Sequence, residues 1–342
     1  MPTYTESVNP MKRRLPLLVL SVGLLMGLSA ACVPVQPSTP PAGQTDTQPE
    51  SPGHTLRVAL LPTTDVVPFY VAQQIGAFTS QGLTAEAVPV SSAAERDTVI
   101  QTGAADCEMT DVQGVVLTNA RQAQPLRIIA TARQATAERP LFFLLSAPES
   151  GITSADQLAG ANIGTSENTV IDYWFDRVLA AAGVDLTSVT RTNVPQLPVR
   201  LELLLNQQLD AAILPDPLAS LAQLQGATMV LDDTILPEAA VSVLVCRADV
   251  IAAQPDAVAA FLAGWDQAVE AINADPAAYA DILIETARVP EPLQGQYTLP
   301  PFPVKQIPSD AQVQDVVDWA VDKGLIDTPP ALDTLIDPSF RQ

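Results

Sequence analysis

The chain has 342 residues, enough for one large or two medium domains. Its 38 acidic against 17 basic residues give a formal net charge of −21, which argues against a nucleic-acid partner. With one histidine and no closely paired cysteines a zinc site is disfavoured, and no metal or cofactor is expected.

Lys12, Arg13 and Arg14 precede an apolar run over 15–28 that closes in Ser29, Ala30 and Ala31. A positive segment, a short apolar run and small residues make a secretory signal over 1–31. An uncleaved anchor is the alternative, although the run is short of the about 20 residues that span a membrane; Met11 is a second possible start. Cys32 follows directly, as in a bacterial lipobox, with the leucine four rather than three places before it. Diacylation there supplies the two chains that stable anchoring needs. Residues 32–54 then carry Pro34, Pro37, Pro40, Pro41, Pro49 and Pro52, a tether that ends at the sole histidine, His54. A histidine in a tether leaves the folded part without a Ser-His-Asp triad or a Cys-His pair.

Leu56, Val58, Leu60 and Leu61 form a short apolar strand bounded by Pro62. Thr63, Thr64 and Asp65 make a polar loop, and Pro68 opens a helix with Val71, Ile75 and Phe78 at near-helical spacing. Such a unit puts its loop at the carboxyl edge of a sheet, where open α/β folds bind ligands. A strand over 83–90, a helix begun by Ser92 with Glu95, a strand over 105–109, the loop Thr110-Asp111 and a helix over 112–122 follow. Strands over 126–130 and 141–145 continue the sheet. A second strand-loop-helix unit occupies 162–182, with Ile171, Phe175, Val178, Leu179 and Ala182 on one helical face. Strands at 189–194, 209–214, 229–231 and 241–245 alternate with helices at 199–207 and 217–225, and the remainder is mostly helical. Alternating strands and helices indicate an α/β fold of parallel units, with the second half a rough echo of the first.

Candidate ligand residues lie where loops follow strands. Asp65, Asp111 and Asp216 are among them, although loop aspartates beside helix starts are more usually caps. Gly164, Thr165, Ser166 and Asn168 sit before a helix N-terminus, where free N–H groups meet a polar ligand; an ordinary cap is the alternative. Glu167 in that first turn argues for a neutral or cationic ligand over phosphate. Tyr70 and Tyr173 are candidate stacking rings or core residues. Cys107 and Cys246 adjoin apolar runs and are expected as two buried thiols, with a disulfide the open alternative in an exported chain.

Four segments in order, VALLPTTDVVPFYVAQQIGAFTSQGL, TGAADCEMTD, ADQLAGANIGTSENTVIDYWFDRVLAAAGVD and QLDAAILPDPLASL, resemble the solute-binding proteins of ABC importers in the sulfonate, nitrate and thiamine-precursor branch. The resemblance implies a type II periplasmic-binding fold: two lobes of open sheet joined by two crossing strands, with a cleft between. Lobe 1 would take 55–145 and 242–342, and lobe 2 146–241, with crossings near 144–147 and 240–242. It also implies Thr63, Thr64, Asp65, Thr110, Asp111, Gly164 to Asn168 and Asp216 as cleft residues. The implied protein is a monomer anchored outside the cytoplasm through Cys32, which captures a small ligand and delivers it to a permease and its ATPase. Because no arginine lies in the four loops, a donor-rich ligand such as an aminopyrimidine is expected, with a sulfonate, nitrate or similar anion as the alternative. Enzymes that make the thiamine pyrimidine resemble the same fold, but use histidine and a cysteine-rich motif that this chain lacks.

Overall fold

The computed structural model describes residues 53–121, 125–137 and 139–341. The signal, Cys32 and most of the tether lie outside the described residues. His54 is not tether: it begins β1 (His54–Leu60), pairing with Leu83 of β2 (Leu83–Pro89).

Two five-stranded sheets carry the molecule. The first has the order β2-β1-β3-β10-β4, with β3 (Cys107–Asp111), β4 (Leu126–Gln134) and β10 (Val241–Arg247). The second has the order β7-β6-β8-β5-β9, built from β5 (Phe142–Ser146), β6 (Asn162–Thr165), β7 (Thr190–Asn193), β8 (Ala211–Pro215) and β9 (Thr228–Asp232). The two orders are the same pattern. In each, three parallel strands are followed by an antiparallel strand that has arrived from the other sheet: β10 in the first, β5 in the second.

The chain therefore crosses twice, between Gln134 and Phe142 and between Asp232 and Val241. The expected boundary at 145/146 shifts, because Phe142 to Leu145 pair with β8. An apolar run reads alike in either sheet; only long-range pairing assigns it.

Helices cover the sheets. The first sheet carries α1 (Val67–Gln74), α2 (Ala77–Ser80), α3 (Ala93–Gln101) and α4 (Val112–Ala120), and the second α5 (Val170–Ala181), α6 (Leu197–Leu205) and α7 (Leu218–Leu224). After β10 come α8 (Ala248–Ala253), α9 (Pro255–Ala274), α10 (Ala280–Thr286), α11 (Asp310–Asp322) and α12 (Leu332–Leu335). β1 is buried on both faces, as a central strand between helix layers requires: Leu56, Val58 and Leu60 join one core with Phe69, Phe78 and Phe261, while Ala59 joins another with Ile100.

Cys107 and Cys246 form a disulfide, contrary to the expectation of two thiols. They are opposite one another on antiparallel β3 and β10. That register is set by a pairing 139 residues apart in sequence, which no local pattern announces.

Candidate functional site

A cavity opens between the two sheets. The carboxyl ends of β1 and β3 supply Thr63, Asp65, Thr110 and Asp111, and those of β6 and β8 supply Ser166 and Asp216. These six of the sequence-expected residues meet there. Six others do not line it. Thr64 is buried, its hydroxyl 3.0 Å from that of Tyr297. Tyr70 lines a separate hollow with Glu285 and Arg288. Tyr173 is hydrogen-bonded to Asp315 of α11. Thr165 is buried, and Asn168, in a left-handed turn with φ 58°, donates its backbone N–H to Asp172.

Gly164 has a different task. A Cβ there would stand 2.5 Å from Leu209 Cδ1 and 3.2 Å from Arg200 Cγ, so the glycine leaves room for Arg200 to pass beside β6. Arg200 then reaches the cavity wall from α6.

Arg200 is the residue that reasoning from loops missed, together with Arg96 on α3 and Arg133 on β4. All three arginines line the cavity. No arginine lies in the four loops, but these three arrive from helices and a strand. The sequence does hold a signal: Arg133 and Arg200 interrupt otherwise apolar segments, where a charge is unusual unless it has work to do.

The three differ in their partners. Arg133 Nη1 donates to Asp65 Oδ1 at 3.0 Å, and Ser242 Oγ bonds the other oxygen. Arg96 faces Asp97 at 3.3 Å, Asp111 at 3.8 Å and Glu108 at 3.9 Å. Burial works against its charge, but its acidic neighbours, Asp97 first, more than offset it, and its pKa is raised. Arg200 has no carboxylate partner among the described residues. Its Nε and Nη1 donate to the carbonyls of Val194 and Ile213, each at 2.8 Å. Burial lowers its pKa to about 10, so it remains a cation at neutral pH.

The acidic side is muted. Asp111 Oδ1 accepts from Gly114 N at 2.8 Å and so does cap α4, while Asp216 Oδ1 accepts from Ser220 N and Oγ at the start of α7. Burial raises the pKa of both, against Arg96 for Asp111 and against Ser220 for Asp216. Glu108, beneath Arg96, is pushed up to about 8 by burial and is mostly protonated at neutral pH. Several lining side chains are apolar, among them Met109, Leu141, Phe142, Ile171 and Leu197. Mixed apolar walls with a few directed polar groups suit a small molecule. Among the described residues, neither cysteine nor histidine lines the cavity.

The NMT1/THI5-like family profile matches residues 63–279. Among solved structures, the chain is similar to the alkanesulfonate-binding protein SsuA of Xanthomonas axonopodis pv. citri bound to MOPS, with a TM-score of 0.69, 18% identity, and coverage of 83% of this chain and 98% of that one. It is similar also to the periplasmic aliphatic sulphonate-binding protein SsuA of Escherichia coli, with a TM-score of 0.70, 18% identity and coverage of 83% and 92%. The periplasmic nitrate-binding protein NrtA of Synechocystis PCC 6803 follows, with a TM-score of 0.67, 13% identity and coverage of 84% and 86%. At such identities the likeness is one of fold, the two-lobed type II periplasmic-binding fold. No curated protein sequence matches. The profile spans more than half of the chain, and the chain belongs to the NMT1/THI5-like family.

Proposed function

We propose that this protein is the extracytoplasmic substrate-binding component of an ABC importer, and that it captures a small organic anion between its lobes. The observation that carries the anionic reading is Arg200, a buried cation with only carbonyl partners on the wall of the interlobe cavity. An uncompensated buried charge is costly, and a ligand anion is the partner that offsets it. The sulfonate- and nitrate-binding neighbours agree in fold and in ligand charge. Capture is non-covalent: a ligand touching both lobes favours the closed state by its differential affinity and presents that shape to a permease. The protein works as a monomer, held to the membrane by a lipid on Cys32, and is not an enzyme.

A second reading keeps the donor-rich heterocycle, because the Asp216 carboxylate, which accepts from Ser220, lines the same cavity. Isothermal titration with ethanesulfonate, nitrate and an aminopyrimidine separates the two. Mass spectrometry of the recovered compound separates capture from turnover, since binding returns it unchanged.

A further inference from the structure

Asp233, in the second crossing, is fully buried. Its Oδ1 accepts from Leu141 N at 2.9 Å, and its Oδ2 accepts from Phe142 N at 3.1 Å and from Trp174 Nε1 at 3.2 Å. One carboxylate thus joins three segments: the second crossing, the end of the first crossing, and α5. Two of the segments it holds wall the cavity, since Leu141 and Phe142 line it directly and α5 contributes Val170 and Ile171, about one turn before Trp174.

We propose that Asp233 is a positioning residue for ligand capture: its carboxylate sets the first turn of α5 against both crossings, and so sets the shape of the cavity at the hinge. The proposal rests on reading that cavity as the capture site. It differs from an ordinary cap because its bonds are long-range, spanning 92, 91 and 59 residues of sequence.

The groups around Asp233 make its protonation legible. Asp232, next in the chain, bonds Thr234 N and Oγ1, and Glu238 on the following turn is exposed. On α5, Asp172 and Asp176 pair with Arg191 and Lys323, and Arg177 pairs with Asp315. No cation pairs with Asp233 among the described residues. Burial raises its carboxyl to about 6, against the backbone N–H groups of Leu141 and Phe142 and the Trp174 indole, with Asp232 raising it slightly further. Once protonated, one oxygen becomes a donor facing N–H donors, and the three-way tie loosens.

The test follows the Trp174 indole and the Leu141 and Phe142 amides by NMR between pH 4.5 and 8, together with Ser166 and Ile171, and measures ethanesulfonate affinity over the same range. In the wild type all five resonances are expected to shift with one midpoint near pH 6. Ethanesulfonate affinity is expected to fall as pH drops, by up to about tenfold per pH unit below that midpoint. In Asp233→Asn, with a cooperative melting transition retained, both dependences disappear. If that variant does not fold, Trp174→Phe carries the test: losing one donor moves the midpoint up and uncouples Ser166 and Ile171 from residues 141 and 142. Cavity resonances that do not follow the Asp233 midpoint, or an Asp233→Asn protein that keeps the pH dependence, overturn the proposal. If the wild type binds no ethanesulfonate at pH 7.5, that ligand is excluded, and the resonances alone decide the role of Asp233.

Discussion

Arg133 on β4 and Asp65 in the loop after β1 form an ion pair at 3.0 Å inside the cavity. The arginine side chain is 7% exposed and the aspartate 16%, so each depends on the other for its charge balance. Arg133→Ala is expected to destabilise the protein by about 3 kcal/mol in urea unfolding, because Asp65 keeps only the Ser242 hydroxyl. Asp65→Asn discriminates between the ligand readings. It leaves Arg133 without its carboxylate, so an anion should bind more tightly and a donor-rich heterocycle more weakly.

Gly164 tests how Arg200 is delivered to the cavity. Gly164→Ala forces a methyl against Leu209 and the Arg200 stem. Overpacking of this kind costs about 1–3 kcal/mol. Anion affinity should fall with it, as Arg200 is displaced. Thermal melts and calorimetry on the same preparation measure both effects.

Much of the fold can be read from local signals, and much of the site cannot. The apolar run at Leu56 to Leu60, the polar loop after it and the echo at 162–182 are local signals, and they place the two facing jaws. Asp111 and Asp216 read as cap or ligand residue from sequence; Asp111 caps α4, Asp216 accepts from Ser220 at the start of α7, and both line the cavity. The arginines were not legible as site residues because their route into the cavity depends on packing, Arg200 on the space at Gly164 and Arg133 on the pairing of β4 with β10. Tyr173 reads from sequence as a stacking ring or a core residue; it is buried, and its hydroxyl is taken by Asp315 on a helix 142 residues away in sequence.

Glu108 makes stability depend on pH. Its carboxyl is raised from 4.5 to about 8 chiefly by burial, partly relieved by Arg96. Between those values the folded protein holds a proton that the unfolded chain has lost, so stability falls as pH rises through that window and levels off above it. One such group gives a slope of at most about 1.4 kcal/mol per pH unit. Glu108→Gln should flatten the decline between pH 5 and 8 in chemical denaturation, and an unchanged slope would assign it to other groups.

The disulfide closes a long loop through the middle of the first sheet. Loop-closure arguments put such a bond at about 4–5 kcal/mol. Both cysteines are buried, so reduction should be slow in the native state and fast once unfolding begins. Paired Cys107→Ala and Cys246→Ala substitutions should lower the melting temperature and leave ligand affinity unchanged, because neither residue lines the cavity.

The central claim is that the interlobe cavity captures an anion through Arg200. Calorimetry of the wild type and of Arg200→Met, against a panel of small sulfonates, carboxylates and nitrate with an aminopyrimidine as contrast, tests it most directly. The account predicts one-to-one binding of at least one anion, recovered unchanged, and an Arg200→Met protein that still melts cooperatively but binds about 10- to 100-fold more weakly, the loss of a charge-assisted contact. Binding of the pyrimidine alone, or an Arg200→Met protein with undiminished anion affinity, would contradict it.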